Sequence, residues 1–494
     1  VTAPPLALVG SLLFPLLAGV ALVRAAGVRF RDDRLAFFGW AWLAGTLALT
    51  LLLFGWSWFG LPMPGLATSV LLAVTAAGAE WIARRGARGA APAATSTAAA
   101  PAPAPVGPLE RVLFVAALAF ALLVTLDRVV SANASIICLG DESAIWAAKA
   151  RVFWFGGGMT EDFRRILFEQ RVAHRDYPPM NPLLQWWTWL AAGRMTAFEN
   201  RFPIQCFAPA LILVAAGALR RFLRPGLAAA LLLLVVLNQG TAISTWSALS
   251  CGIVAFGMLV AADGWLRFDE SGRPRDFALF AAGLAAALWA KNEGAMLAAL
   301  FGGAIAVAAC VSKGTRARLA ALRGAWAWLV LPLACEAAHR AFNFRYGLTN
   351  DLVGTPGEGF LQHLAARMDF ASLRTLATWF AESLIVPSTL GDRFAAPESL
   401  WFAPSDQNLL LLAALLVAVV DPRGAFRSGR GVVFATLALA LAGFAVVYLG
   451  TQYDLVWHLD LSVGRVLFDV APAAAVALAS WWGGAAAPRG ARAN

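Results

Sequence analysis

Charge is scarce in this chain. Asp, Glu, Lys and Arg make up 14% of its 494 residues, 60% are hydrophobic, and the mean hydropathy is +0.69. That balance excludes an ordinary soluble domain, whose hydrated surface needs far more charge. Cysteine and histidine are sparse too, at five and four residues. Neither recurs at metal-ligand spacing, and no disulfide framework is legible, although Cys138 and Cys206 fall near segments expected on the same face and are candidates to pair. A Walker loop, a dinucleotide fingerprint and a serine-nucleophile elbow are missing, which argues against a nucleotide-driven enzyme. No basic residue precedes the first apolar run and no cleavage-like site follows it, so it reads as a true span and not as a signal peptide. The inverted internal repeat common in transporters is also missing.

What the chain does have is long apolar runs, each near the length of about 20 residues that a crossing helix needs. They cover residues 6–23, 35–54, 65–82, 112–130, 204–219, 227–243, 248–265, 277–290, 295–311, 325–341, 409–420, 432–449 and 466–482. The expected fold is therefore an all-α polytopic membrane protein of about 13 transmembrane helices, with interfacial helices in its large outer loops. The net charge of +10 would suggest nucleic acid in a soluble protein. Here the basic residues sit at the ends of apolar runs, where they report topology, and no nucleic-acid partner is expected.

Arg24, Arg29, Arg31 and Arg34 follow the first run, and Arg84, Arg85 and Arg88 the third. Arg220, Arg221 and Arg224 follow the fifth; Arg267, Arg273 and Arg275 the seventh; Lys313, Arg316, Arg318 and Arg323 the ninth; Arg423, Arg427 and Arg430 the eleventh. Arg489 and Arg492 lie near the end of the sequence. Basic short connections stay cytoplasmic. One alternation satisfies all of them, with the N-terminus outside and the C-terminus inside a plasma (inner) membrane. If the Trp-rich stretch 181–192 crossed, every later basic connection would change sides. It is therefore expected to lie flat at the outer interface, and 373–385 is kept from crossing for the same reason.

Residues 1–85 read as a three-helix N-terminal module and 86–109 as a flexible Ala/Pro-rich cytoplasmic linker. Residues 110–484 form the main transmembrane body, with outer loops 131–202, 343–408 and 451–465, and 485–494 form a cytoplasmic tail.

The unusual polar residues gather on the outer face. Asp141, after Gly140, stands where a helix N-cap belongs, with Glu142 favouring the helix dipole. Capping is the plain alternative to catalysis here. His174, Arg175, Asp176 and Tyr177 precede Pro178 and Pro179, which hold the chain extended. Lys291 and Glu293 occupy a tight turn between two spans, where they either form an ion pair reaching for the interface or serve a site. Arg465 follows His458 and stands against the outer-face charge bias. A guanidinium fork suits a lipid phosphate as well as a plain headgroup anchor.

In this order the motifs resemble the GT-C superfamily of glycosyltransferases, which includes protein O-mannosyltransferases and aminoarabinose transferases. The residues are Gly140-Asp141-Glu142, then Asp176-Tyr177-Pro178-Pro179, then Ala290-Lys291-Asn292-Glu293-Gly294, then Gly464-Arg465-Val466-Leu467 with Pro472. Tyr177 stands where some relatives carry Lys or His. The resemblance implies transfer of a sugar from a polyprenyl-phosphate donor to a hydroxyl acceptor at the outer face, with inversion, in contact with membrane lipids. It implies Asp141 and Glu142 as catalytic residues, with Lys291, Arg465, His174 and Arg175 at the donor phosphate. Asp176, Tyr177, Glu293 and His458 are expected to position the acceptor or the loops. Glu142 would orient the acceptor or bind a divalent cation; the sequence does not choose, and no cofactor is otherwise required. A transporter or flippase of lipid-linked sugars, and a surface-polysaccharide polymerase or ligase, are the competing readings.

Overall fold

The computed structural model describes residues 5–89, 106–134, 140–196, 198–350, 359–385 and 408–486. The structure is 83% helix, with no strand among the described residues. Four long helices come first: α1 (Pro5–Ala25), α2 (Ala36–Trp58), α3 (Pro64–Gly89) and α4 (Pro108–Ala134). A π-helical turn, Glu142–Ala147, leads into α5 (Ala148–Gly156), α6 (Phe163–Glu169) and α7 (Met180–Ala192). The body continues with α8 (Phe207–Phe222), α9 (Pro225–Leu237), α10 (Gln239–Trp246), α11 (Cys251–Ser271), α12 (Pro274–Ala290) and α13 (Asn292–Val311). Then come α14 (Lys313–Ala321), α15 (Val330–Tyr346), α16 (Phe360–Ala366), α17 (Phe370–Ile385) and α18 (Leu409–Val420). The last three are α19 (Gly429–Gly450), α20 (Leu455–Phe468) and α21 (Ala471–Ala486).

Among the described residues, eight helices are long and apolar enough to cross a membrane, and up to ten spans result if each bent pair counts as one. This is a polytopic membrane protein; thirteen spans is a finer count than these lengths support. Two expected spans are interrupted by polar residues. The run 227–243 breaks at Asn238, whose extended backbone ends α9 and whose Oδ1 accepts from Gly240 N at 2.8 Å to start α10. Arg128, itself buried, donates to the Val236 carbonyl that the break leaves open. The final run is bent by 41° between α20 and α21, at Asp469 and Val470. Arg465 therefore lies inside α20 and not in a loop before the last span.

The Trp-rich helix α7 departs most from expectation. Met180 through Trp189 are all buried in protein, so α7 does not lie on a lipid interface. Asn181 and Gln185, one turn apart, explain why. Asn181 donates to Ala248 O at 2.6 Å and Ser250 Oγ at 3.1 Å, and Gln185 donates to Asn181 Oδ1 at 2.9 Å. Asn200 donates onward to Gln185 Oε1 at 2.5 Å. Buried amides are stable only when satisfied in this way, and the ladder ties α7 to the start of α11.

The three N-terminal helices pack into the body. Gly19 and Gly45 bring α1 and α2 together so closely that a Cβ on either would collide with a carbonyl of the other helix, Ala41 O or Pro15 O. Trp289 on α12 donates to Thr50 Oγ1 at 3.1 Å, and Trp187 on α7 donates to Ser11 O at 3.0 Å. The basic connections meet at one end of the bundle. There Arg267 pairs with Asp33 at 2.6 Å and Asp263 at 2.8 Å, Arg221 with Asp263 at 2.8 Å, and Arg275 with Asp32 at 2.9 Å. Helix α3 continues to Gly89, past the expected start of the linker. The rest of that linker up to 105, Cys138 of the suggested Cys138–Cys206 pair, part of the 343–408 loop and the end of the tail lie outside the described residues.

Candidate functional site: a cleft at one end of the bundle and a neighbouring cavity

At the end of the bundle opposite the Arg267 cluster, six segments distant in sequence meet around a cleft of about 140 Å³, the start of α11 and the end of α19 among them. The π-helical turn supplies Asp141, Ile145 and Trp146. The loop before α7 supplies His174 and Tyr177, the α12–α13 turn supplies Lys291 and Glu293, and α20 supplies His458 and Arg465.

Asp141 does not cap its helix. It has helical backbone angles and makes no side-chain capping bond. Its Oδ2 instead accepts from Arg465 Nη1 at 2.7 Å, across 324 residues of sequence. Burial alone would raise the Asp141 pKa. The Arg465 guanidinium, with smaller help from His174 and Lys291, outweighs burial and holds it below the ordinary carboxylate value. The side chains remain partly open, 24% exposed for Arg465 and 46% for Asp141, so a guest can reach both.

Lys291 closes another side of the cleft. It is buried, pairs with Glu293 Oε1 at 2.9 Å and lies 3.6 Å from Cys251 Sγ. Gly294 makes its turn possible, because a Cβ there would collide with Ala287 O. Tyr177 stacks between Trp146, with ring centroids 5.4 Å apart, and His174, 4.9 Å apart. His174 has φ +44°, a left-handed conformation unusual for a residue with a side chain, and Arg171 has φ +49°. Strain of this kind persists only where the surroundings enforce it. Tyr177 N donates back to His174 O at 3.1 Å and Ala173 N to Ala144 O at 3.0 Å, which pins the turn against the Asp141 segment.

Three expected site residues do not line this cleft. Glu142 is buried and pairs with Arg201 at 2.5 Å, which turns its carboxylate away from Asp141. Arg175 lies over the Phe168 ring at 4.2 Å. Asp176 points to the other side of the loop, where its Oδ2 accepts from Asn292 Nδ2 at 2.6 Å. Lys149 is fully buried and donates to the Arg175 and Tyr177 carbonyls at 2.9 and 2.7 Å. It holds the loop in place.

Several lining residues carry no motif. Tyr448 Oη and Ser462 Oγ bond at 2.8 Å, and His458 packs edge-on against Tyr448 at 4.8 Å. Among the described residues, no group of three or more His, Cys, Asp or Glu side chains gathers at metal-binding distance.

Beyond the wall formed by 176–177 and 291–293 lies a larger cavity of about 720 Å³. Asp176 and Asn292 face it, while Tyr177, Lys291 and Glu293 face the cleft. His339 and Asn343, one turn apart on α15, fasten the wall through the Asp176 carbonyl at 2.6 and 3.1 Å.

Chemically, the cleft combines an ionised carboxylate with guanidinium and ammonium groups in partly buried surroundings, at one end of a membrane bundle. Compared with known protein families, curated proteins and solved structures, the chain matches none.

Proposed function

We propose that the cleft transfers a sugar from a polyprenyl-phosphate donor to a hydroxyl acceptor, on the outer face of a plasma (inner) membrane. This reading puts the N-terminus outside, the C-terminus in the cytoplasm and the Arg267 cluster at the cytoplasmic end. The observation that carries it is the Asp141–Arg465 pair at 2.7 Å, with Lys291 lining the same cleft. A base and two cations at one partly buried place suit a reaction that removes a hydroxyl proton while a phosphate departs.

In this mechanism the acceptor oxygen attacks the anomeric carbon from the face opposite the phosphate. A carbon–oxygen bond forms to the acceptor, and the bond from the anomeric carbon to the phosphate oxygen breaks. The acceptor proton passes to Asp141 and the electron pair leaves with the polyprenyl phosphate, so the anomeric centre inverts. General-base assistance is worth about 10²–10⁴-fold. Arg465 and Lys291 stabilise charge that grows on the leaving phosphate, which is the most productive use of fixed cations in a site shielded from water. Because Arg465 also holds Asp141, a bound phosphate competes for it. The carboxylate then recovers basicity when the donor is in place. Tyr177, His174 and His458 shape the cleft wall, and membrane lipids carry the donor. The reading needs no cofactor, and Glu142, paired to Arg201, is not assigned a divalent ion.

One observation favours a second reading, a flippase of lipid-linked sugars. Asp469 is fully buried at the break between α20 and α21, and neither of its oxygens has a partner among the described residues. Broken helices with buried ionisable groups are typical of transporters. A single experiment separates the two: purified full-length chain is incubated with polyprenyl-phosphate sugars and glycolipid acceptors, and products are read by mass spectrometry. Transfer by the wild type that is lost in Asp141→Asn supports the enzyme. A fully active Asp141→Asn, or transmembrane movement of donor with no product, rejects it.

A further inference from the structure

The 720 Å³ cavity differs in charge from the cleft beside it: two carboxylates, Asp176 and Glu336, face one cation, Arg340, where the cleft sets Asp141 and Glu293 against Lys291 and Arg465. Its walls are apolar side chains of α12, α13 and α15, among them Leu284, Leu288, Met296, Pro332 and Leu333. Leu333 is 67% exposed on the bundle's outer surface, so the cavity opens sideways towards the bilayer. An amphipathic molecule can enter there without leaving the membrane.

The polar end of the cavity is built from Asp176, Asn292, Glu336, His339, Arg340 and Asn343. Arg340 is the one Lys or Arg among its described lining residues, and it is already paired with Glu336 Oε1 at 2.6 Å. The carboxylates of Asp176 and Glu336 leave no net positive charge for a phosphate. Three buried atoms at this end have no hydrogen-bond partner among the described residues: Glu336 Oε2, His339 Nδ1 and Asn343 Oδ1. His339 Nε2 lies 2.6 Å from the Asp176 carbonyl, which accepts, and 2.9 Å from Asn343 Nδ2, which donates, so the tautomer decides which of the two it serves and whether Nδ1 donates or accepts. Glu336 Oε2 and Asn343 Oδ1 are acceptors in need of donors, and an unsatisfied buried acceptor costs about 1–3 kcal/mol. Hydroxyl groups are the neutral donors that meet that need.

We infer that this cavity binds the acceptor substrate, and that the acceptor is a lipid with an uncharged, hydroxyl-rich headgroup such as a glycolipid. The inference rests on the transferase reading for the word acceptor, but the binding itself does not. The apolar walls take the acyl or alkyl chains. The headgroup lies against Asp176 and Asn292, whose 2.6 Å bond is part of the wall separating it from Asp141 and Arg465. The donor phosphate is directed to the other side by Arg465 and Lys291. Charge thus sorts two lipids into adjacent places.

The test uses the full-length chain in nanodiscs and three labelled probes: a short-chain glucosyl diacylglycerol, farnesyl phosphate and an alkylammonium amphiphile. Ala299 and Leu333 line the cavity and are exposed, so Ala299→Trp and Leu333→Trp fill it without disturbing buried packing. Both are expected to weaken glucolipid binding at least tenfold, about 1.4 kcal/mol or more, and to change farnesyl-phosphate binding less than twofold. Arg465→Gln is expected to do the reverse. Glucolipid binding left intact by both Trp variants overturns the inference, as does a farnesyl-phosphate loss equal to or larger than the glucolipid loss. Stronger binding of an alkylammonium probe than of the glucolipid overturns the headgroup assignment. If glucolipid binding falls as expected but the wild type transfers no sugar, the cavity assignment stands and the transferase proposal fails.

Discussion

The two ends of the bundle use the same ion pair for different purposes. At one end Asp263, fully buried, sits between Arg221 and Arg267, each 2.8 Å away, and Arg267 reaches on to Asp33 at 2.6 Å. At the other, Asp141 meets Arg465 at 2.7 Å, but both side chains border a cleft and stay partly exposed. The first carboxylate has two guanidiniums and no access for a guest. The second has one principal guanidinium and a path for an incoming anion. Distance alone does not separate a clamp from a site; accessibility and the number of partners do.

The contrast can be broken most sharply by removing each carboxylate in turn. Asp141→Ala is expected to lower sugar transfer by about 10²–10⁴-fold, with an apparent melting temperature close to wild type, because a partly exposed pair contributes little to stability. Asp263→Ala removes the shared partner of two largely buried guanidiniums, leaving Arg267 with Asp33 and Arg221 with the more distant Glu270, and is expected to cost about 3 kcal/mol, seen as a clear drop in melting temperature in detergent. If the two variants exchange these outcomes, the assignment of clamp and site is reversed.

A pH profile sharpens the comparison next. Asp141 has a lowered pKa in the unliganded cleft, so it stays ionised as pH falls, and the acid limb of the kcat/KM profile, which reports the free enzyme, lies below the ordinary aspartate value of about 3.9. Arg465→Gln removes the strongest opposing charge, leaving burial to raise the pKa, and the limb moves to higher pH. An unmoved limb in that variant separates Asp141 from the rate. The smallest effect belongs to a neutral contact. Thr50→Val deletes the bond from Trp289, whose indole nitrogen loses its partner, and is expected to cost about 1–3 kcal/mol of stability while leaving the pH profile unchanged.

Much of this arrangement was legible from residue order. Long apolar runs identified a polytopic membrane protein, and the alternation of arginines agrees with the meeting of α1–α2, α8–α9 and α11–α12 connections at one end. Placing Asp141, His174, Tyr177, Lys291, Glu293, His458 and Arg465 on one face was enough to bring them to one cleft. Direction was not legible. Neighbours on a helix point about 100° apart, so Asp141 and Glu142 diverge to different arginines, and in the loop His174, Arg175 and Asp176 face three environments. Arg201, which captures Glu142, had no motif to mark it. Helix α7 was misread because tryptophan favours interfaces, although Asn181 and Gln185 at one-turn spacing were the signal of a buried polar ladder. His339 and Asn343 carry the same spacing on α15, but His339 lies within the apolar run 325–341 and Asn343 just past its end, so no single segment displays the pair.

The Asp33–Arg267 clamp also bears on how the molecule is made. Its partners are 234 residues apart in sequence. At a synthesis rate of about 5–20 residues per second, α1 and α2 are complete roughly 10–50 s before Arg267 emerges. During that interval the closely packed α1–α2 pair must persist in the bilayer with Asp33 unclamped. Gly19 and Gly45, which let the two helices touch, give this early pair a contact that needs nothing from the later chain.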